Sequence, residues 1–121
     1  MLQYLTEVNE YIGDITVAVE NLTLLLGDPL LNNETWLKEV GYSADVIQRA
    51  HENLSAMDVP PEMKEAHRAI LYATQDFYDA MDYTINGVTY LDVGDIQKAS
   101  GLLMSGNRNL DRATELVLEL E

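Results

Sequence analysis

The stretch LTEVNEYIGDITVAVENLTLLL, residues 5–26, decides the fold. Its apolar residues Leu5, Val8, Ile12, Ile15, Val19, Leu22 and Leu26 recur in a strict alternation of three and four, so all seven fall on one face of an α-helix. The same stretch carries Glu7, Glu10, Asp14 and Glu20, and the first basic residue of the chain is Lys38. A helix of one charge sign gains nothing from internal ion pairs, so its stability has to come from burying the apolar stripe. Gly27 stands where a left-handed C′ residue belongs, and Asp28-Pro29 ends the helix behind it.

Three further stripes repeat the pattern. Asn33 is a good N-cap for a second helix with Leu37, Val40, Ala44, Ile47, His51 and Leu54 on one face, widened by Trp36 and Ala50. Pro60 and Pro61 close it, and Pro61 suits the first turn of a third helix. There Met63, His67, Ile70, Thr74, Phe77, Met81, Thr84 and Val88 line up, supported by Ala66, Ala73 and Ala80. Asp92 caps a fourth helix with Ile96, Ala99, Leu103, Gly106, Leu110, Ala113, Val117 and Leu120. Its Ala99, Gly106 and Ala113, seven residues apart, allow close approach to a neighbour. Only Gly87–Leu91 is ambiguous between helix and strand. The expected architecture is all-α, a single domain over residues 1–121, with helices over about 2–26, 34–57, 61–88 and 93–120. Short connections make it an antiparallel up-down-up-down four-helix bundle.

Composition narrows the function. The 121 residues include no cysteine, which excludes disulfide scaffolds, thiol nucleophiles and thiolate zinc sites. A hydrophobic fraction of 47% fits a folded chain despite 21 acidic against 7 basic residues and a net charge of −14. A field of that sign repels phosphate backbones and anionic lipid, so direct nucleic-acid binding is disfavoured. Polar residues break every apolar run, so membrane insertion is not expected either. The acidity then reads as a solvated surface, as a face for a basic partner, or as a cation site. Met1–Tyr4 has no basic n-region, and Glu7, Glu10 and Asp14 interrupt any signal core. The chain is expected to be cytoplasmic, or to be a mature extracytoplasmic domain whose export signal has been removed.

His51 and His67 fall on core stripes eight residues either side of Val59, so an antiparallel hairpin brings them to one level. Facing imidazoles can hold a metal, shuttle a proton or sense pH. Metal sites in bundles add Glu-x-x-His motifs, and here Gln48 and Lys64 occupy the Glu positions. No metal or other cofactor is expected. The histidines are expected to bond to each other, to Tyr11 or to an acid on the last helix such as Glu115. No nucleophile–base pairing, phosphate-cradling glycine loop or calcium loop occurs, and catalysis is not expected.

The outer face of the third helix carries a second constellation. Tyr72, Asp76, Asp79, Tyr83, Asn86 and Tyr90 lie within about 80° of one another on a helical wheel. Tyrosine combines apolar area with a polar tip, and interleaved carboxylates select a cationic partner. Tyr72, Asp76, Asp79, Tyr83 and Tyr90 are therefore the candidate partner-binding residues. A homodimer through this face is one form such an interface takes.

Val59-Pro60-Pro61-Glu62, Ala66-His67, Tyr78-Asp79-Ala80, Gly87-Val88, Asp92, Ile96 and Ala99, with Trp36 early in the second helix, resemble a pattern in uncharacterised extracytoplasmic proteins of bacteria and archaea, often lipoproteins. The resemblance spans about residues 34–120. It implies a helical bundle on the outer side of a membrane and supplies no catalytic residues. The leading expectation is a non-enzymatic acidic module for protein interaction or sensing. The alternatives are a small acidic inhibitor that imitates nucleic acid against a basic protein, and a histidine-containing metal or pH-sensing bundle.

Overall fold

Four α-helices account for nearly all of residues 2–119, which the structure, a computed structural model, describes. α1 spans Leu2–Gly27, α2 Glu34–Ala56, α3 Lys64–Thr89 and α4 Val93–Glu119, with a 3-10 turn at Pro61–Met63 leading into α3. No strand occurs among the described residues, and Gly87–Leu91 is a helix end followed by a turn. Consecutive helices pack against each other and α4 returns to α1, which closes the expected antiparallel four-helix bundle. No helix among the described residues is long and apolar enough to cross a membrane.

The helix limits follow from local chemistry. Asn33 sits in an extended conformation and its side chain accepts from the Trp36 N–H at 2.9 Å, an N-cap. Asp92 Oδ1 does the same for Gly94 and Asp95 at the start of α4. The expectation for Gly27 is corrected: it is the last helical residue of α1, and no glycine has a positive φ. Pro29 disfavours helical backbone at Asp28, which stops the helix without a left-handed residue. The left-handed position belongs instead to Leu91, φ 53°, after α3. There the Asp92 N–H reaches back to the Gly87 carbonyl at 2.9 Å, closing a Schellman-type turn.

Trp36 satisfies a neighbouring helix end. Its buried indole N–H donates to the Leu25 carbonyl at 2.8 Å, one of the four carbonyls that α1 leaves unpaired at its C-terminus. The sequence places Trp36 only as a broadening of the α2 stripe.

The core contains the anticipated stripes with local shifts. On α1, Tyr4 and Ala18 are buried, while Leu5 and Ile12 pack at its margin. On α4, Ile96, Ala99, Leu103, Gly106, Leu110, Ala113 and Val117 are all buried, and Leu120 lies outside the described residues. α3 and α4 form the tightest pair. Ala66, Ala73, Ala80 and Gly87 on α3 repeat every seven residues, as do Ala99, Gly106 and Ala113 on α4, and all are buried. Small residues at that period let two helix backbones approach. A Cβ on Gly106 would lie 2.6 Å from Phe77 Cδ1 and 3.1 Å from the Ala73 carbonyl oxygen. One on Gly87 would lie 2.6 Å from Ile96 Cδ1.

Candidate functional site

The two histidines are both buried, but each has its own partners. His67 Nε2 lies 2.9 Å from the Leu54 carbonyl, which can only accept, so Nε2 carries the proton. Nδ1 is then the acceptor, and the Tyr4 hydroxyl donates to it at 2.7 Å. Burial raises the Tyr4 phenol to about 12, which keeps it protonated as that donor. Leu54 is among the last residues of α2, and His67 supplements the long 3.4 Å bond that its carbonyl accepts from the Met57 N–H, much as Trp36 serves a C-terminal carbonyl of α1. His67 thereby ties the start of α1 and the end of α2 to the start of α3.

His51 Nδ1 shares a 2.6 Å hydrogen bond with the Thr74 hydroxyl, and its ring packs at 5.0 Å, centroid to centroid, on Tyr78. The expected bonds from either histidine to the other, to Tyr11 or to Glu115 are corrected. Tyr4 takes the place of Tyr11, and Glu115 is exposed. On the wheel Tyr4 shares the angle of Leu22 on the α1 stripe, and only the tertiary fold brings its hydroxyl to His67 at the start of α3. Among the described residues, no group of three or more histidines and carboxylates is close enough to hold a metal ion.

Burial lowers the pKa of His51 below its ordinary 6.5, against the opposing pull of a Gln75 hydrogen bond and the Asp79 and Glu52 carboxylates. As pH falls through the unfolded-state value near 6.5, the unfolded chain therefore takes up a proton that the folded chain refuses. The contribution is complete above that value and is lost below it. We expect the thermal midpoint to fall from about pH 7.5 to about 5.5, before carboxylates titrate, and His51→Gln to flatten that slope. Parallel midpoint–pH profiles for the two proteins, followed by circular dichroism, would refute the assignment.

The α3 face is only partly as anticipated. Tyr72 and Tyr90 are 71% and 75% exposed, and Asp79 is exposed while accepting from Gln75 Nε2 at 2.9 Å. Tyr83 is less exposed and carries the Lys98 ammonium 5.7 Å from its ring centroid. Asp76 turns toward α4, half-buried, and its Oδ2 accepts from Ser105 Oγ at 3.1 Å and Asn109 Nδ2 at 3.0 Å. This carboxylate clamps α3 to α4 on either side of Gly106. Its departure of about 40° from Tyr72 on the wheel was visible in the sequence, but its partners were not.

A further feature went unread in the sequence. The outer seam between α1 and α2 holds two adjoining hollows of about 430 and 460 Å³, which share Asn21, Tyr42 and Ser43. A third, of about 290 Å³, continues toward the α1–α2 loop through Leu24, Leu25 and Glu39. Together they make one open trough from Tyr11 and Asn53 to Asp28 and Asn33. Exposed apolar residues at Val17, Leu24 and Tyr42, outside the buried stripes, were the available signal.

Comparison of the chain with protein-family models, with curated proteins and with solved structures finds no match in any of the three.

Proposed function

We propose that the chain is a non-enzymatic acidic module that binds a basic protein partner through the exposed side of α3. The contact between Lys98 and Tyr83 carries this reading, because a ring on that side already accepts an ammonium group on its face. Tyr72 and Tyr90 fall on the same wheel position and remain open, so they are the free equivalents for a partner's lysine or arginine. Asp79 supplies a nearby carboxylate, and the net charge of −14 steers cationic chains toward the surface. Asp76 belongs to the α3–α4 clamp and has no part in this contact.

Titration with unstructured Lys/Arg-rich peptides tests the reading. Salt-sensitive binding is expected, weakened about tenfold in Tyr72→Ala/Asp79→Asn/Tyr90→Ala, whose exposed changes should leave the thermal midpoint in place. Equal affinity for the native and triple-variant proteins would remove the α3 face from consideration.

A further inference from the structure

The two hairpins of the bundle are built differently. Along α3–α4, glycine and alanine bring the helices together, and the hollows described above do not extend there. Along α1–α2, the small buried residues Ala18, Ser43 and Ala50 lie at the bottom of the open trough, between Val17, Leu24 and Tyr42 at 58, 77 and 70% exposure. A floor of small side chains flanked by large ones is a hole for the knobs of another helix.

The trough runs beside α1 from Tyr11 to Asp28, about 26 Å at the helical rise, the length of a helix of some 17 residues. Its electrostatics constrain the occupant. Glu7, Glu10 and Asp14 lie within about 60° on the trough side of α1, and α1 has no basic residue to neutralise them. Across the seam, Arg49 is already paired with Asp45 at 2.7 Å. Asp14 lines the trough and Glu10 and Glu7 continue the acidic row past its Tyr11 end, while Lys38 and Glu39 on the α2 side are one of each sign, so the excess negative charge belongs to α1. A second copy of this chain fits poorly, because it would bring its own charge of −14 to the same face.

We propose that the α1–α2 trough docks one amphipathic helix of four to five turns from a basic partner. Its apolar stripe lies between Val17, Leu24 and Tyr42, and its lysines or arginines meet Asp14 and, past the Tyr11 end, Glu10 and Glu7. This is helix-in-groove recognition, on a different hairpin from the α3 face. It deepens the interaction reading by naming a second surface and the conformation of what binds there.

The probe is a peptide of about 18 residues with a Leu/Ala stripe flanked by Lys/Arg, paired with a scrambled peptide of equal composition. Calorimetry, peptide circular dichroism and backbone amide shifts of the full chain supply the readouts. The amphipathic peptide should become helical on binding and shift the amides of Ala18, Asn21, Tyr42, Ser43 and Ala50. Leu24→Ser/Tyr42→Ala, both at exposed positions, should weaken it about tenfold or more. Glu7→Gln/Glu10→Gln/Asp14→Asn should weaken it and reduce its salt dependence. Shifts confined to Tyr72, Asp79, Tyr83 and Tyr90 would overturn the trough proposal while leaving the α3 reading intact. Absent binding, equal binding of the scramble, unchanged affinity in both variants, or a dimer of the chain occupying the trough would also overturn it. Conversely, trough shifts that persist in the α3 triple variant uphold this proposal whatever becomes of the other face.

Discussion

Gly106→Ala is expected to destabilise the protein by about 2–3 kcal/mol, although alanine is the better helix former. The added Cβ would lie 2.6 Å from Cδ1 of Phe77, whose ring is fully buried and cannot swing aside. It would also lie 3.1 Å from the Ala73 carbonyl oxygen, which moves only if α3 moves. The helices must separate, and the Asp76 clamp to Ser105 and Asn109 is strained with them. Gly101 sits in the same helix, exposed and with open space around it. Gly101→Ala should therefore stabilise by about 0.5–1 kcal/mol through reduced unfolded-state freedom. Opposite signs from one substitution five residues apart isolate the tertiary cause. Urea midpoints with unchanged m-values measure both, and Phe77→Leu should recover part of the Gly106→Ala loss. Equal stabilisation at both sites would mean that the α3–α4 approach is looser than described.

His67→Leu should cost about 3 kcal/mol. The substitution leaves the Tyr4 hydroxyl without its 2.7 Å acceptor in a buried position. The Leu54 carbonyl keeps only the long 3.4 Å approach of the Met57 N–H. Tyr4→Phe removes one partner and should cost about 1 kcal/mol. The double variant Tyr4→Phe/His67→Leu should be less unstable than the two losses combined by about 1 kcal/mol, because an orphaned hydroxyl is then absent. Strict additivity would show that the Tyr4–His67 bond contributes nothing. His67→Gln offers a check on the carbonyl half, since its amide N–H can reach toward Leu54 in the same role.

Both effects arise where a side chain on one helix completes the end or surface of another. Trp36 on Leu25 and His67 on Leu54 repeat one device at opposite ends of α2, in a protein whose α1 and α2 lack left-handed glycine caps. The α3–α4 pair is fixed by steric fit and the Asp76 clamp. The α1–α2 pair is held by its core stripe and keeps an open outer seam, so the bundle has one tight hairpin and one with a trough along its outside.

The periodicity of the chain by itself determined the number of helices, the sense of their connection and nearly every residue of the α4 core. A stripe repeating at three and four has one way to leave water, and Asn33, Pro29 and Asp92 punctuate it through purely local backbone chemistry. Tertiary structure alone decided which groups meet. Tyr4 rather than Tyr11 reaches His67, Asp76 leaves the tyrosine face for α4, and Ala18, Ser43 and Ala50 floor a trough. A wheel gives each side chain an angle about its own axis. Contacts and hollows depend also on the height, tilt and separation of a second axis, which the sequence of one helix does not contain.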